Sequence, residues 1–288
     1  MYPHCATPLL CLFALRAIVA SISPAALNGA TWWLLALGFP AVFVTLGHGQ
    51  NAFLSAALLG LGMVNLDKRP LVAGLCFGLL AYKPQLGIMI PLVLIATGRW
   101  RTVCAAIATI AALAFAVTLL LGTDVWRAFR DSTGFARTTL LEGGGPGWEK
   151  VQTVFAWVRL WGGGTAAAYV AQGAVMLAIA IVLVRLWRGP ARYACKAAAL
   201  AIAAVAAAPF SIDYDMTVLA VAIAFLAADG VRNGFAPWMK ITLAALWLVP
   251  LVARSAGTVF VPLGAITMLA AFAVVAWQAG RRPIHPSG

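Results

Sequence analysis

Charge is what this sequence has least of. Only 10% of its 288 residues are Asp, Glu, Lys or Arg, just eight of them are acidic, and there are three histidines. A soluble domain carries about 25% charged and roughly 45–50% apolar residues. Here the apolar types reach 63% and the mean hydropathy is +0.96. So much apolar surface cannot be hidden inside one soluble core, which excludes a cytosolic enzyme and a disordered tail. The five cysteines (Cys5, Cys11, Cys76, Cys104 and Cys195) have no CxxC spacing and mostly lie within apolar runs, as small apolar fillers do. That excludes a disulfide-stapled secreted domain and a zinc site. A Walker loop, GxSxG, HExxH and GxGxxG are all missing, so hydrolase, protease and dinucleotide-binding readings have no support. The alternation of apolar and polar residues that marks membrane strands is also missing. The apolar runs are continuous, and the chain reads as an all-α polytopic membrane protein.

The charge that is present is basic, with a net +12 and a pI near 10.2. Nucleic-acid binding would cluster that charge on one polar face. Here it is spread between apolar runs, as the loop bias of membrane proteins requires. Residues 7–22 are followed by the small-residue stretch Ala20 to Ala26, but no Lys or Arg precedes them. The segment therefore reads as a membrane helix and not as a signal peptide.

A hydrocarbon core of ~30 Å takes about 20 helical residues. Apolar runs fall near 7–22, 29–46, 51–66, 70–82, 84–98, 102–121, 165–187, 195–209, 214–228, 238–253 and 260–279. This predicts a bundle of 9–11 transmembrane helices in a single membrane domain, 1–288. That domain divides into N-terminal helices (1–121), a long outer loop (122–164) and C-terminal helices (165–288). Asp67 to Arg69, Arg99 to Arg101, Arg185 to Lys196, Arg232 to Lys240 and Arg281 with Arg282 fall at alternating helix ends and fit one side, the cytoplasm. That side holds 13 of the 20 basic residues if Arg16 is included, and the other holds six of the eight acidic ones. The C-terminus is then cytoplasmic and the polar clusters face outward.

Loop 122–164 is too long to be structureless. Its spacing predicts two short interfacial helices joined by Gly143 to Gly147. The first starts at an N-cap Thr123 and puts Val125, Phe129, Ala136 and Leu140 on one face, with Arg127, Arg130 and Arg137 away from it. The second has the apolar stripe Trp148, Val151, Phe155 and Val158. Such helices lie in the membrane interface, where their basic faces meet phosphate from headgroups or from a lipid-linked substrate.

The residues that need explaining lie on the outer face. His48, Gln50 and Asn51 cluster where a helix starts, a natural anion site; the same residues also read as a capped turn. Tyr82-Lys83-Pro84-Gln85 interrupts an otherwise apolar stretch. Pro84 breaks the helix, and Lys83 is an ionisable residue on the side the charge rule leaves without cations. It suits a phosphate, or a lysine snorkelling to the interface. Asp213 and Asp215 form a D-x-D at a helix start, where acids also serve as caps. Arg254 is a lone outer base able to pair with either acid or with a phosphate. Glu149 and Lys150 follow Trp148. No residue set demands a metal.

Taken together, five segments resemble glycosyltransferase family 87, also described as a domain of unknown function 2029, in its proteobacterial branch. They are Phe39 to Leu54 with its Gly-His-Gly-Gln-Asn, Leu71 to Gln85 ending Ala-Tyr-Lys-Pro-Gln, Gly98 to Arg101, Gly147 to Phe155, and Pro209 to Asp215. The resemblance implies a GT-C-like architecture and transfer of a hexose, mannose-like, from a polyprenyl-phosphate sugar to a lipid or glycan acceptor. The site would face the periplasm from the bacterial inner membrane. Such a donor needs no nucleotide fold and no cofactor. The expected partners are membrane lipid, the polyprenyl-phosphate sugar and its acceptor, and no nucleic acid. Lys83 with His48 or Arg254 would clamp phosphate, Gln50 and Asn51 would meet sugar hydroxyls, and Tyr82, Gln85, Trp148, Glu149 and Lys150 would line the site. Family members carry their catalytic acid in a first outer loop after one more helix. This chain opens at Met1-Tyr2-Pro3-His4, so that acid is expected upstream, with Asp213 or Asp215 as the base otherwise. A flippase of lipid-linked sugars or an inactive fragment is the competing reading; a flippase should carry polar residues deep along its helices.

Overall fold

The computed structural model describes residues 6–27 and 30–281. The expectations resting on Met1 to His4, Cys5 and Arg282 lie outside the described residues. Among the described residues each of the eleven apolar runs is mainly helical, with 29–46 broken into two helices at Gly38 and Phe39. In chain order the helices are α1 (Ala6–Ile22), α2 (Ala30–Leu37), α3 (Pro40–His48), α4 (Ala52–Asn65), α5 (Pro70–Leu79), α6 (Pro84–Gly87), α7 (Met89–Ala96) and α8 (Trp100–Leu121). Then come α9 (Val125–Phe135), α10 (Val154–Leu160), α11 (Thr165–Arg188), α12 (Tyr193–Ala206), α13 (Leu219–Asn233), α14 (Met239–Thr258) and α15 (Leu263–Gly280). Among the described residues five helices are long and apolar enough to cross a membrane, α13 counting with the turn before it, and the α2–α3 pair, bent by 44°, makes a sixth. Five more apolar helices or broken helices of 10–17 residues complete the set.

The breaks have local causes. Pro40, Pro70 and Pro84 each sit in the first turn of a helix, where the missing N–H costs nothing and the preceding residue is pushed out of helical geometry. Short helices are tolerated because protein covers them. Of the 14 residues of α12, 12 are buried, and its alanines let α7, α11, α13 and α15 close around it. The opposite case is α8, where Thr102 is the single buried residue among 22. It is held by α5 through Gly74 and Gly78, four apart on one face. A Cβ on Gly74 would stand 2.6 Å from Thr102 O, and one on Gly78 2.6 Å from Thr109 Cβ. Here the backbones touch, and the larger side chains of α8 face lipid.

The long loop departs from its expected form in three ways. Asp124, not Thr123, occupies the N-cap position of α9, and its side chain caps nothing. The helix runs on into a π-helical stretch, Ala136–Glu142. There the hydrogen bonds change to an i→i+5 register, yet Val125, Ala136 and Leu140 are the half-buried residues of an otherwise exposed segment, so the expected face persists through the change. The second helix begins only at Val154, where the Thr153 hydroxyl accepts from the Ala156 N–H at 3.2 Å. Trp148 and Val151 therefore precede it, and Val151 instead forms an antiparallel bridge with Ile212. Trp126, Phe129 and Phe135 of α9 are exposed, as an interfacial helix requires.

Candidate active site

The site is assembled by three interruptions in helices. The first closes α3. Gly49 takes φ +62, and Gly49 N–H and Gln50 N–H donate to Leu46 O and Thr45 O at 3.1 and 3.2 Å, a left-handed stop that a side chain would strain. It leaves His48 at the helix end and Asn51 at the start of α4, where the Asn51 side chain caps nothing. The second is the Pro84 break. Lys83 leaves helical geometry (φ −126, ψ 71), so it points the opposite way from its neighbours, Tyr82 and Pro84, which are both exposed. The Tyr82 hydroxyl donates to Asn51 O at 3.0 Å and lies 2.6 Å from Ser55 Oγ, tying the break to α4. Lys83 turns inward and is 9% exposed.

The third is the turn 210–218. The loop bridge registers it: Gln152 N–H donates to Ser211 O at 2.8 Å and Asp213 N–H to Lys150 O at 2.9 Å. A 3-10 helix, Asp213–Val218, then leads into α13. At three residues per turn, positions 213 and 215 point about 120° apart, so the two carboxylates diverge as the D-x-D spacing predicts. Both are buried, each 2% exposed. Asp215 Oδ1 accepts from Lys83 Nζ at 2.7 Å, and Asp215 Oδ2 from Ile212 N–H at 3.1 Å. Asp215 is thus both a cap and the counter-charge of Lys83. Asp213 Oδ1 accepts from Tyr214 N–H at 2.8 Å and faces His48 Nε2 at 3.8 Å. Asp213 Oδ2 takes no hydrogen bond among the described residues. His48 Nδ1 lies 2.8 Å from Val44 O. A carbonyl can only accept, so Nδ1 carries hydrogen and Nε2 is the nitrogen aimed at the acid.

Between the acids, the Tyr214 ring meets the His48 ring at 5.5 Å and the Lys83 ammonium at 4.8 Å. Thr45 and Thr217 fasten α3 to this turn, with their hydroxyls 2.6 Å apart and Thr45 donating to Tyr214 O at 3.2 Å. Lys150 and Arg254 lie within the electrostatic reach of Asp213. Arg254 is exposed and makes no ion pair among the described residues. Around this centre, Gln50, Asn51 and Tyr82 are exposed and Gln85 is half-buried.

Trp148 stands apart, packed on Phe155 with the Arg159 guanidinium 5.2 Å over its ring. Glu149 packs its backbone on Gly257, where a Cβ would fall 2.7 Å from Glu149 Cα, which docks the loop onto the end of α14. Further out, the Glu142 carboxyl is held below its ordinary value of 4.5 by the Arg137 guanidinium and then the Tyr169 hydroxyl. Among the described residues no three His, Cys, Asp or Glu side chains converge as metal ligands.

The structure therefore brings His48, Lys83, Asp213 and Asp215 into one cluster, with Lys150 and Arg254 nearby, and leaves Trp148 outside it. Tyr214, Thr45, Thr217 and Ser55 escaped the sequence reading. For Thr45, Thr217 and Ser55 the one signal was a hydroxyl among apolar neighbours, and Tyr214 was the unread middle residue of the D-x-D. The profile of glycosyltransferase family 87 matches residues 4–211. The chain belongs to glycosyltransferase family 87. No curated protein and no solved structure matches it. Family membership makes this a glycosyltransferase, and its apolar helices make it a membrane protein. The match takes in His48, Tyr82, Lys83 and Lys150 and stops two residues before Asp213.

Proposed function

We propose that this family 87 protein moves a hexose, mannose-like, from a polyprenyl-phosphate sugar to a lipid or glycan acceptor, at the periplasmic face of the bacterial inner membrane. The observation that carries the reading is the buried acid–cation cluster at a broken helix, in which one carboxylate oxygen is unengaged. Inverting transfer needs a base for the acceptor proton and positive charge for the departing phosphate. Asp213 Oδ2 is the base. Both oxygens of Asp215 are occupied, so Asp215 instead fixes Lys83. The acceptor oxygen attacks the anomeric carbon, its proton passes to Asp213, and the bond to phosphate oxygen breaks with the electron pair leaving on phosphate. His48 and Arg254 meet that phosphate from the exposed side, and Lys83 adds its charge from below. Gln50 and Asn51 meet sugar hydroxyls, and Tyr82, Gln85, Glu149 and Lys150 complete the rim. An apolar groove of about 390 Å³ begins at Pro84 and runs between α5, α7 and α8, which suits an isoprenoid tail. Fixed charge in a low-dielectric site is the largest source of rate in such transfers, and a positioned base adds ~10²–10⁴-fold.

The test is release of free polyprenyl phosphate by the protein in membranes supplied with polyprenyl-phosphate mannose and a glycolipid acceptor. Asp213→Asn is expected to slow release at least about 100-fold with unchanged thermal stability. Release at the wild-type rate would remove Asp213 from the role of base.

A further inference from the structure

A second groove, of about 600 Å³, runs between α1, α2, α13 and α14. Leu15, Ala224, Leu243 and Trp247 form its wall, and the rim residues Leu35 and Val231 are each more than half exposed. Besides Thr31 and the Trp247 indole N–H, which donates to Leu35 O at 3.1 Å, its side-chain polar groups are two donors. Lys240 stands at one end with its ammonium 5.4 Å over the Phe235 ring. The Trp32 indole N–H is buried in the wall and has no hydrogen-bond partner among the described residues. Trp32 opens α2 and Lys240 opens α14, so both donors lie toward the same end of the groove. An apolar trough with a cation at its mouth and a free donor just inside is complementary to an amphiphile. The chain fills the trough, an ester carbonyl accepts from the indole, and a phosphate meets the ammonium.

We propose that this groove holds an acyl chain of an anionic glycerophospholipid, with its phosphate at Lys240. The glycosyl donor does not fit this role. Lys240 and Arg254 are separated by about 21 Å along α14 at 1.5 Å per residue. A headgroup at Lys240 is therefore at the end of the bundle opposite the acid cluster, in the other leaflet. The proposal concerns binding alone and stands whether or not the transfer reaction is as described above.

Native mass spectrometry of the full chain, stripped of lipid and titrated separately with phosphatidylglycerol, phosphatidylethanolamine and polyprenyl phosphate, tests it. Phosphatidylglycerol should bind at about fivefold lower concentration than phosphatidylethanolamine, the contribution of one lysine near a membrane surface. Lys240→Glu should abolish that preference, and Ala224→Trp, which fills the trough, should weaken both lipids. Should the tryptophan variant fail to fold, phosphatidylglycerol with brominated acyl chains gives an independent reading. It should quench wild-type fluorescence more than that of Trp32→Phe. Equal binding of the two phospholipids, or an unchanged preference in Lys240→Glu, overturns the proposal. So does equal quenching in Trp32→Phe, or displacement of phosphatidylglycerol by an equal amount of polyprenyl phosphate. Absence of any lipid adduct, as when protein covers the groove, also overturns it.

Discussion

The two ends of the bundle carry ion pairs of nearly equal length and opposite character. At the end that carries loop 122–164 Lys83 meets Asp215 at 2.7 Å, with side chains 11% and 3% exposed. At the other end Arg99 meets Asp67 at 2.6 Å, with side chains 26% and 57% exposed. The exposed pair keeps its hydration and joins the end of α4 to the start of α8. Exposed pairs of this kind contribute about 0–1 kcal/mol. The buried pair has given up its water, and its attraction roughly offsets that cost. A bundle this rich in alanine and leucine has no structural need for a lysine at a helix break. The difference teaches that distance alone says little. The pair that adds least to stability is the one placed beside a free carboxylate and an exposed histidine, where a reaction can use it.

The contrast can be broken most sharply at the buried end. Lys83→Ala leaves Asp215 charged and alone, and is expected to lower stability by about 3–5 kcal/mol. Thermal unfolding in detergent measures it, and phosphate release should fall with it. Replacing both partners, Lys83→Met with Asp215→Leu, should restore most of the stability while release of polyprenyl phosphate stays lost. Recovery of activity in the double variant would make the pair purely structural. At the exposed end Asp67→Asn should cost no more than about 1 kcal/mol and leave release unchanged. The smallest effect is electrostatic and peripheral. Glu142 is depressed below 4.5 by Arg137 and Tyr169, so its contribution is complete above that value and is lost as pH falls through the lower, folded value. Hydrogen exchange over residues 136–142, corrected for its intrinsic pH dependence, should rise only in that acidic window.

Most of the architecture was legible because an apolar run bounded by charge or proline has few alternatives in a bilayer. His48, Lys83, Asp213 and Asp215 were legible one at a time, since each is a polar residue where apolar neighbours leave it unexplained. Their pairing was not. Lys83 and Asp215 are 132 positions apart, and no local pattern encodes which cation meets which acid. The loop misled for a different reason. Period-3.6 spacing predicts an α-helix through Leu140, and nothing in the residue pattern announces a π-helical register. Trp148 and Val151 fit a helical stripe in spacing, but the bridge to Ile212 claims the backbone there. Gly74 and Gly78 drew no reading in the sequence, and only the approach of α8 shows what they are for.

The pairing of Lys83 with Asp215 also has a consequence in time. At ribosomal rates of roughly 5–20 residues per second, the 132 residues after Lys83 up to and including Asp215 take about 7–26 s to synthesise. For that interval the nascent chain carries a lysine at a helix break whose counter-charge has not yet been translated. The cluster therefore forms only after the helices up to α12 have been made. A chain interrupted before residue 215 carries Lys83 at the helix break without the carboxylate that pairs with it in the finished protein.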